Sequence, residues 1–221
     1  MVSSKEEILK KLADAVVEGD EDKCRQYAEE ALKAGVDAYE AIMSGCAEGM
    51  KIVSQKYETG EMYVPEILLS AQAMYAAIEV LKPHIKVDKS RVTGTVVLGV
   101  VEGDIHDIGK NLVKIMLDAA GFKVVDLGRD VPLPKFVEAI KEHNADVLGM
   151  SALMTTTMVN MPKVIELLKQ AGLRDKVGVI IGGAPTSMEF AKQIGADTWA
   201  KDASAAVPEV VRLITEKRKA A

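Results

Sequence analysis

Between Ser4 and Pro83 apolar residues recur every three or four positions, the period of helices that bury one face. Ser4-Lys5-Glu6-Glu7 has the S-x-x-E form of a capping box, and Ile8, Leu9, Leu12 and Val16 follow it on one face. Gly19-Asp20 breaks that helix. A second helix is predicted through Cys24, Tyr27, Ala28, Ala31 and Leu32, ending near Gly35. A third carries Tyr39, Ile42, Met43, Cys46, Met50, Val53 and Tyr57 and stops at Thr59-Gly60. Pro65 suits a first helical turn and opens a fourth, with Ile67, Leu68, Ala71, Met74, Tyr75, Ile78 and Leu81 expected inward. Four amphipathic helices with short connections predict a helical bundle over residues 1–83.

The period then changes. Residues 84–91, HIKVDKSR, are polar and read as an interdomain linker. Beyond them, short apolar runs at 95–101, 123–127, 146–153, 177–181 and 197–200 alternate with helical patterns. Those patterns lie at 108–120, 134–143, 158–171, 188–194 and 204–217. Continuous apolar runs joined by helices indicate parallel strands covered on both faces. Five such units predict an α/β, doubly wound, flavodoxin-like domain over 92–221, with strand order 2-1-3-4-5.

Composition narrows the classes without naming a function. Hydrophobic residues at 48% and charged residues at 28% suit a globular protein. A net charge of -5 argues against a general nucleic-acid binder. No uninterrupted apolar run reaches the roughly 18 residues of a membrane span, and the polar start does not read as a secretory signal. Cys24 and Cys46 sit in helical patterns rather than a C-x-x-C motif, so the expected compartment is the reducing cytoplasm.

In an open parallel sheet, ligands bind beyond the carboxyl ends of the strands, where the strand order reverses. For this order the place lies between the first and third strands. The first ends in Glu102-Gly103-Asp104-Ile105-His106-Asp107-Ile108-Gly109-Lys110-Asn111. The third ends in Ser151-Ala152-Leu153-Met154-Thr155-Thr156-Thr157, the fourth in Gly182-Gly183-Ala184-Pro185-Thr186. A lone loop histidine is more often a solvated or structural residue. His106 differs because it follows Asp104 by two positions: a carboxylate bonded to one ring nitrogen fixes the tautomer and frees the other nitrogen for a metal. One such histidine does not make a four-ligand protein site. A metal that brings its own equatorial ligands needs only one protein nitrogen.

This constellation resembles the cobalamin-binding domain of corrinoid proteins. The D-x-H-x-x-G signature appears as Asp104-Ile105-His106-Asp107-Ile108-Gly109, followed in order by Ser151-Ala152-Leu153 and Gly182-Gly183. GDIHDIGKNLV, KVVDLGRDVP and IIGGAPTS are similar to segments of methionine synthase and of methyltransferase corrinoid proteins. The helical half matches through Gly60-Glu61-Met62-Tyr63-Val64-Pro65-Glu66 and the helix after it.

The resemblance implies a corrinoid bound base-off/His-on, with His106 ligating cobalt, Asp104 as its partner and Gly109 in the signature loop. It implies that Ser151 and Leu153 line a slot for the displaced nucleotide tail, which approaches the backbone of Gly182 and Gly183; ordinary turn chemistry is the other reading of those glycines. A hydroxyl completes the relay in the methionine synthase pattern; alignment from Ser151 puts Thr157 there, with Thr155 and Thr156 as substitutes or helix caps. The helical half implies a cap over the upper face, with Tyr63, Val64 and Met74 as contacts, although such residues at helical spacing also suit a core. Lys110 and Asn111 lie where they reach corrin amides or simply start a helix; His84 and His143 read as surface residues, and Trp199 as packed on the last strand.

By the same resemblance the chain is a methyl carrier that needs partners: a donor-specific methyltransferase, an acceptor methyltransferase using a folate or a thiol, and a reductive activator of the Co(II) corrinoid. The cap would swing aside about 84–91 to admit them. With about 83 residues of cap and 130 of cofactor domain, no separate substrate-specific catalytic domain is expected. A cobalamin-dependent sensor or regulator, a cobalamin-binding mutase subunit, and a flavodoxin-like domain without a corrinoid are the competing readings.

Overall fold

Capping chemistry starts the helices of the N-terminal half where the sequence places them. The structure, a computed structural model, describes residues 4–85 and 93–220. Ser4 Oγ accepts the Glu7 N–H at 3.2 Å while the Glu7 carboxylate accepts the Ser4 N–H at 3.0 Å, closing the box that opens α1 (Lys5–Glu18). Asp20 caps α2 (Glu21–Lys33) by accepting the Lys23 N–H at 3.0 Å. The predicted third helix comprises α3 (Ala38–Ala41), a π-helical stretch at Ile42–Ala47, and α4 (Glu48–Glu58). Glu66 accepts the Tyr63 N–H at 2.8 Å at the start of α5 (Val64–Leu81), which runs into a 3-10 turn at Lys82–His84.

Helix α5 packs against α1, α2 and α4 through small buried residues, among them Ser70, Ala73 and Ala77. Leu68, expected inward, is instead 60% exposed, as part of an apolar face with Tyr63, Val64 and Leu69. The helix is apolar almost all round, so periodicity alone does not choose which face its neighbours cover. By length and composition the segment Val64–His84 is apolar enough to cross a membrane; within this unit it serves as a packing helix. Cys24 and Cys46 are free and buried.

The chain divides into two compact units, Met1–Lys86 and Val87–Ala221. Of the linker expected at 84–91, residues 86–91 lie outside the described residues.

The second unit alternates β1 (Thr95–Val100), α6 (Ile108–Ala120), β2 (Lys123–Asp126), α7 (Leu133–His143) and β3 (Val147–Ser151). It continues through α8 (Thr155–Met158), α9 (Met161–Gln170), β4 (Gly178–Gly182), α10 (Met188–Ile194), β5 (Thr198–Ala200) and α11 (Ala203–Ala220). The five strands pair in parallel in the order β2-β1-β3-β4-β5, as predicted. The central strands β1 and β3 are buried along almost their whole length, which their unbroken apolar runs require. Phe136, Leu148, Met150, Met161 and Leu168 form part of the core on one face of this sheet. Val96 pairs with Val147 and Val100 with Ser151, so the ends of β1 and β3 come level at the switch point. The loops that follow them share one sheet edge.

Trp199 sits on β5 and donates Nε1–H to Thr186 Oγ1 at 3.0 Å, joining the edge strand to the loop after β4.

Candidate functional site

Asp104 is the anchor of the site. Its side chain is 0% exposed, yet every donor around it comes from the two loops at the switch point. Oδ1 accepts the His106 backbone N–H at 3.0 Å and lies 2.8 Å from His106 Nδ1. Oδ2 accepts the Leu153 N–H at 2.8 Å, the Met154 N–H at 3.3 Å and the Thr157 hydroxyl at 2.6 Å. Burial pushes the carboxyl pKa up, but the bonds from Thr157, the His106 and Leu153 amides and the His106 ring outweigh it and hold it at about 2. Asp104 is therefore a carboxylate at any physiological pH and can only accept, so the neutral imidazole of His106 takes the tautomer with its proton on Nδ1. Nε2 is left as an acceptor on a side chain that is 46% exposed.

Three threonines competed for the hydroxyl position, and the structure separates them. Thr157 is buried against Asp104, whereas Thr155 and Thr156 are exposed on the first turn of α8. Their separation follows from the turn: Met154 C=O accepts the Thr157 N–H at 3.2 Å, which rotates the third threonine inward.

Ser151 is the last residue of β3, and Leu153 is exposed beside the Asp104 anchor. Gly109 lies in the first turn of α6, where an added Cβ would meet nothing within 4 Å. Gly182 ends β4, and Gly183 has a cause of its own: φ is 110° and an added Cβ would lie 1.8 Å from the Ala152 carbonyl oxygen. The Gly183 backbone is thus packed on the backbone after β3 whatever else approaches it. Gly183→Ala is expected to destabilise the protein by about 2–4 kcal/mol, read from urea unfolding. An unchanged midpoint would show that the two loops relax apart without cost.

Burial corrects the expectation of Met74 as a cofactor contact and decides between the two readings of Lys110. Met74 is 1% exposed and has no surface to offer a cofactor, because α5 turns it inward; Tyr63, at 68% exposed, and Val64 do offer surface. Lys110 is 2% exposed, with Nζ 2.5 Å from Asp126 Oδ1 at the end of β2, so it ties α6 to the sheet instead of reaching a ligand. Lys114 lies 3.2 Å from the other oxygen of Asp126 and Gly128 N–H donates to Asp126 at 2.9 Å. Burial raises the Asp126 pKa, while Lys110, the Gly128 amide and Lys114 bring it below the ordinary carboxylate value. A helix-start lysine gives no sequence sign that it folds back on a neighbouring strand.

The donor set suits one kind of metal. Among the described residues no group of three or more His, Cys, Asp and Glu side chains comes together. A single outward imidazole nitrogen fits a metal already held by a macrocycle and not a bare ion. Exposed Ile105, Leu153 and Val159 around the two loops fit the apolar underside of such a ring.

Comparison with known proteins agrees. Two families described as B12 binding domain match the chain, one over residues 94–211 and the other over 8–82. The chain is 48% identical over 211 residues to trimethylamine corrinoid protein 1 of Methanosarcina acetivorans, covering 95% of this chain and 98% of that protein. It superposes on the structure of Methanosarcina barkeri monomethylamine corrinoid protein with a TM-score of 0.86 and 40% identity, covering 95% of this chain and all (100%) of that one. It also resembles a chain of the methanol:cobalamin methyltransferase complex MtaBC from Methanosarcina barkeri, with a TM-score of 0.53 and 34% identity over 97% of this chain and 82% of that one. Family matches over both units, with relatives 48% and 40% identical and aligned over 95% of the chain, show that the chain belongs to the family of B12-binding corrinoid proteins.

Proposed function

We propose that this chain is the methyl-carrying corrinoid protein of a methylamine-dependent methyltransferase system, with the corrinoid bound base-off/His-on. It serves a donor-specific methyltransferase on one side and an acceptor methyltransferase, folate- or thiol-dependent, on the other, with a reductive activator to restore it. The single observation that carries the site reading is the outward Nε2 of His106, backed by a carboxylate that is itself satisfied by the Thr157 hydroxyl and three amides. The methylamine donor is suggested by the names of the relatives, similar over 95% of this chain. The regulator and mutase readings have no comparable support.

When bound, the corrinoid supplies a cobalt centre that accepts and releases the methyl group. His106 Nε2 would hold that metal. Asp104 keeps the proton on Nδ1, so that Nε2 keeps its lone pair for the metal. Thr157 steadies Asp104 Oδ2 and has the Met154 carbonyl, at 3.0 Å, as a second acceptor if the carboxylate takes up more of the Nδ1 proton. Ser151, Leu153, Gly182 and Gly183 would border the nucleotide tail, and Gly109 leaves room above the start of α6. The exposed apolar residues Tyr63, Val64, Leu68 and Leu69 of the helical unit would offer surface for contact with the corrinoid. Two free, buried cysteines suit a reducing cytoplasm, where we place the carrier.

The purified protein mixed with hydroxocobalamin and then desalted is expected to remain coloured with a histidine-ligated spectrum. A colourless protein refutes the cofactor reading. Incubating the reduced, loaded protein with mono-, di- or trimethylamine and each cognate methyltransferase is expected to methylate the bound corrinoid with one of the three. Methylation by a methanol-specific partner alone would overturn the methylamine assignment and leave the carrier role standing.

A further inference from the structure

The peptide plane that launches the His106 loop is held at both ends by side chains from other loops. Asp104 N–H donates to the Val101 carbonyl at 3.1 Å, so 101–104 is a β-turn with Glu102-Gly103 at its centre. Gly103 has φ 86°, the conformation that the third position of a type II turn demands. In such a turn the central peptide has two orientations, and rotating it exchanges type I for type II. Here its N–H, on Gly103, donates to Asp130 Oδ1 at 2.7 Å. Its C=O, on Glu102, accepts Asn160 Nδ2–H at 2.8 Å. Rotation of the plane would break both bonds together.

Asp130 is set for this task at a cost. It is a non-glycine residue with φ 51°, in the left-handed region, and its own N–H donates to the Asp104 carbonyl at 2.9 Å. One residue therefore grips the 102–103 and 104–105 peptides, on either side of the 103–104 peptide that leads to His106. Glycine would adopt the same backbone with less strain but could not accept the Gly103 N–H. Glu102 adds a third tie, its carboxylate accepting the Leu133 N–H at 3.2 Å.

We infer that Asp130 and Asn160 are positioning residues for the metal-binding histidine: they lock the Glu102–Gly103 peptide so that Asp104 and His106 leave the turn in one direction. The inference rests on the reading of His106 as the cobalt ligand. Neither residue belongs to the Asp104–His106–Thr157 hydrogen bonds, and both act through the backbone.

The two halves of the claim are read separately. In the cofactor-free protein, amide hydrogen exchange at Gly103 is expected to be at least about tenfold faster in Asp130→Gly than in the native chain, since the acceptor is gone. Exchange along β1 is expected to stay native. Asp130→Asn keeps an acceptor oxygen and tolerates the left-handed conformation, so Gly103 protection is expected to return. With hydroxocobalamin, Asp130→Gly and Asn160→Ala are each expected to weaken binding about fivefold and to lower the histidine-ligated fraction, while Asp130→Asn stays within about twofold of native. Both bonds are exposed, so the variants are expected to fold; if one does not, the other carries the test. Faster Gly103 exchange with native spectrum and affinity would overturn the positioning role and leave His106 as ligand. A native protein without a histidine-ligated spectrum would overturn the reading of His106 and this inference with it.

Discussion

Replacing His106 with glycine is expected to move bound hydroxocobalamin from the histidine-ligated to the water-ligated base-off spectrum and to weaken its binding by at least about tenfold, the lower end of what disturbing a metal's immediate support costs. The size of the effect follows from the absence of a substitute. The chain has three histidines; His143 ends α7, and His84 lies in the other compact unit, in the turn after α5. No second imbalance of charge is created, because the Asp104 carboxylate keeps the Thr157 hydroxyl and the amides of residues 106, 153 and 154. The His106→Gly protein is therefore expected to fold, and added imidazole is expected to restore the ligated spectrum by occupying the vacated place beside Asp104. A histidine-ligated spectrum that survives the substitution without imidazole would exclude His106 as the ligand.

Asp104→Asn is expected to damage stability severely. The carboxylate accepts on both oxygens and donates on neither, so an amide nitrogen in either position meets a donor. A loss of about 3 kcal/mol is expected, the range for a buried charged acceptor removed from its donors. Acidity gives an independent check on the cofactor-free protein. The folded pKa of about 2 lies below the ordinary carboxylate value, so the unfolded chain binds the proton more readily. The resulting stability, on the order of 2 kcal/mol, is complete above the unfolded pKa of about 3.9 and disappears as pH falls through about 2. Urea unfolding midpoints of the native protein should drop across that interval more steeply than those of Asp104→Asn. Parallel pH profiles would mean that the hydrogen bonds do not depress this carboxyl.

What the sequence made legible was decided by local rules. The strand order follows from unbroken apolar runs joined by helices, and the Asp104–His106 pair from two residues in one loop. Thr157 was within reach because it lies at a fixed distance from a strand end, although only the fold distinguishes it from Thr155 and Thr156. The burial of Leu68, Met74 and Lys110 is not decided by local sequence, for a shared reason. Leu68 and Met74 lie on a helix apolar on every side, and Lys110 is neutralised by Asp126 on the adjacent strand, so burial depends on neighbours remote in sequence. The π-helical stretch at Ile42–Ala47 interrupts a pattern that reads as ordinary helix. Asp130 and Asn160 were invisible as a pair because they are 30 residues of chain apart and meet only across one peptide of a third loop. The Gly-Arg-Asp turn after β2 was the one available hint, since aspartate tolerates the left-handed conformation that glycine usually supplies.

The buried cysteines have a meaning for a protein that transports an electrophilic methyl group. Sulfur attacks carbon as thiolate, and burial pushes the Cys24 thiol up to about 12, with nearby Asp20 adding to the shift. Burial raises Cys46 as well. These are the two cysteines of the chain, and both remain protonated inside the helical unit at neutral pH. Burial thus keeps both thiols from competing as nucleophiles for the methyl group that the protein carries.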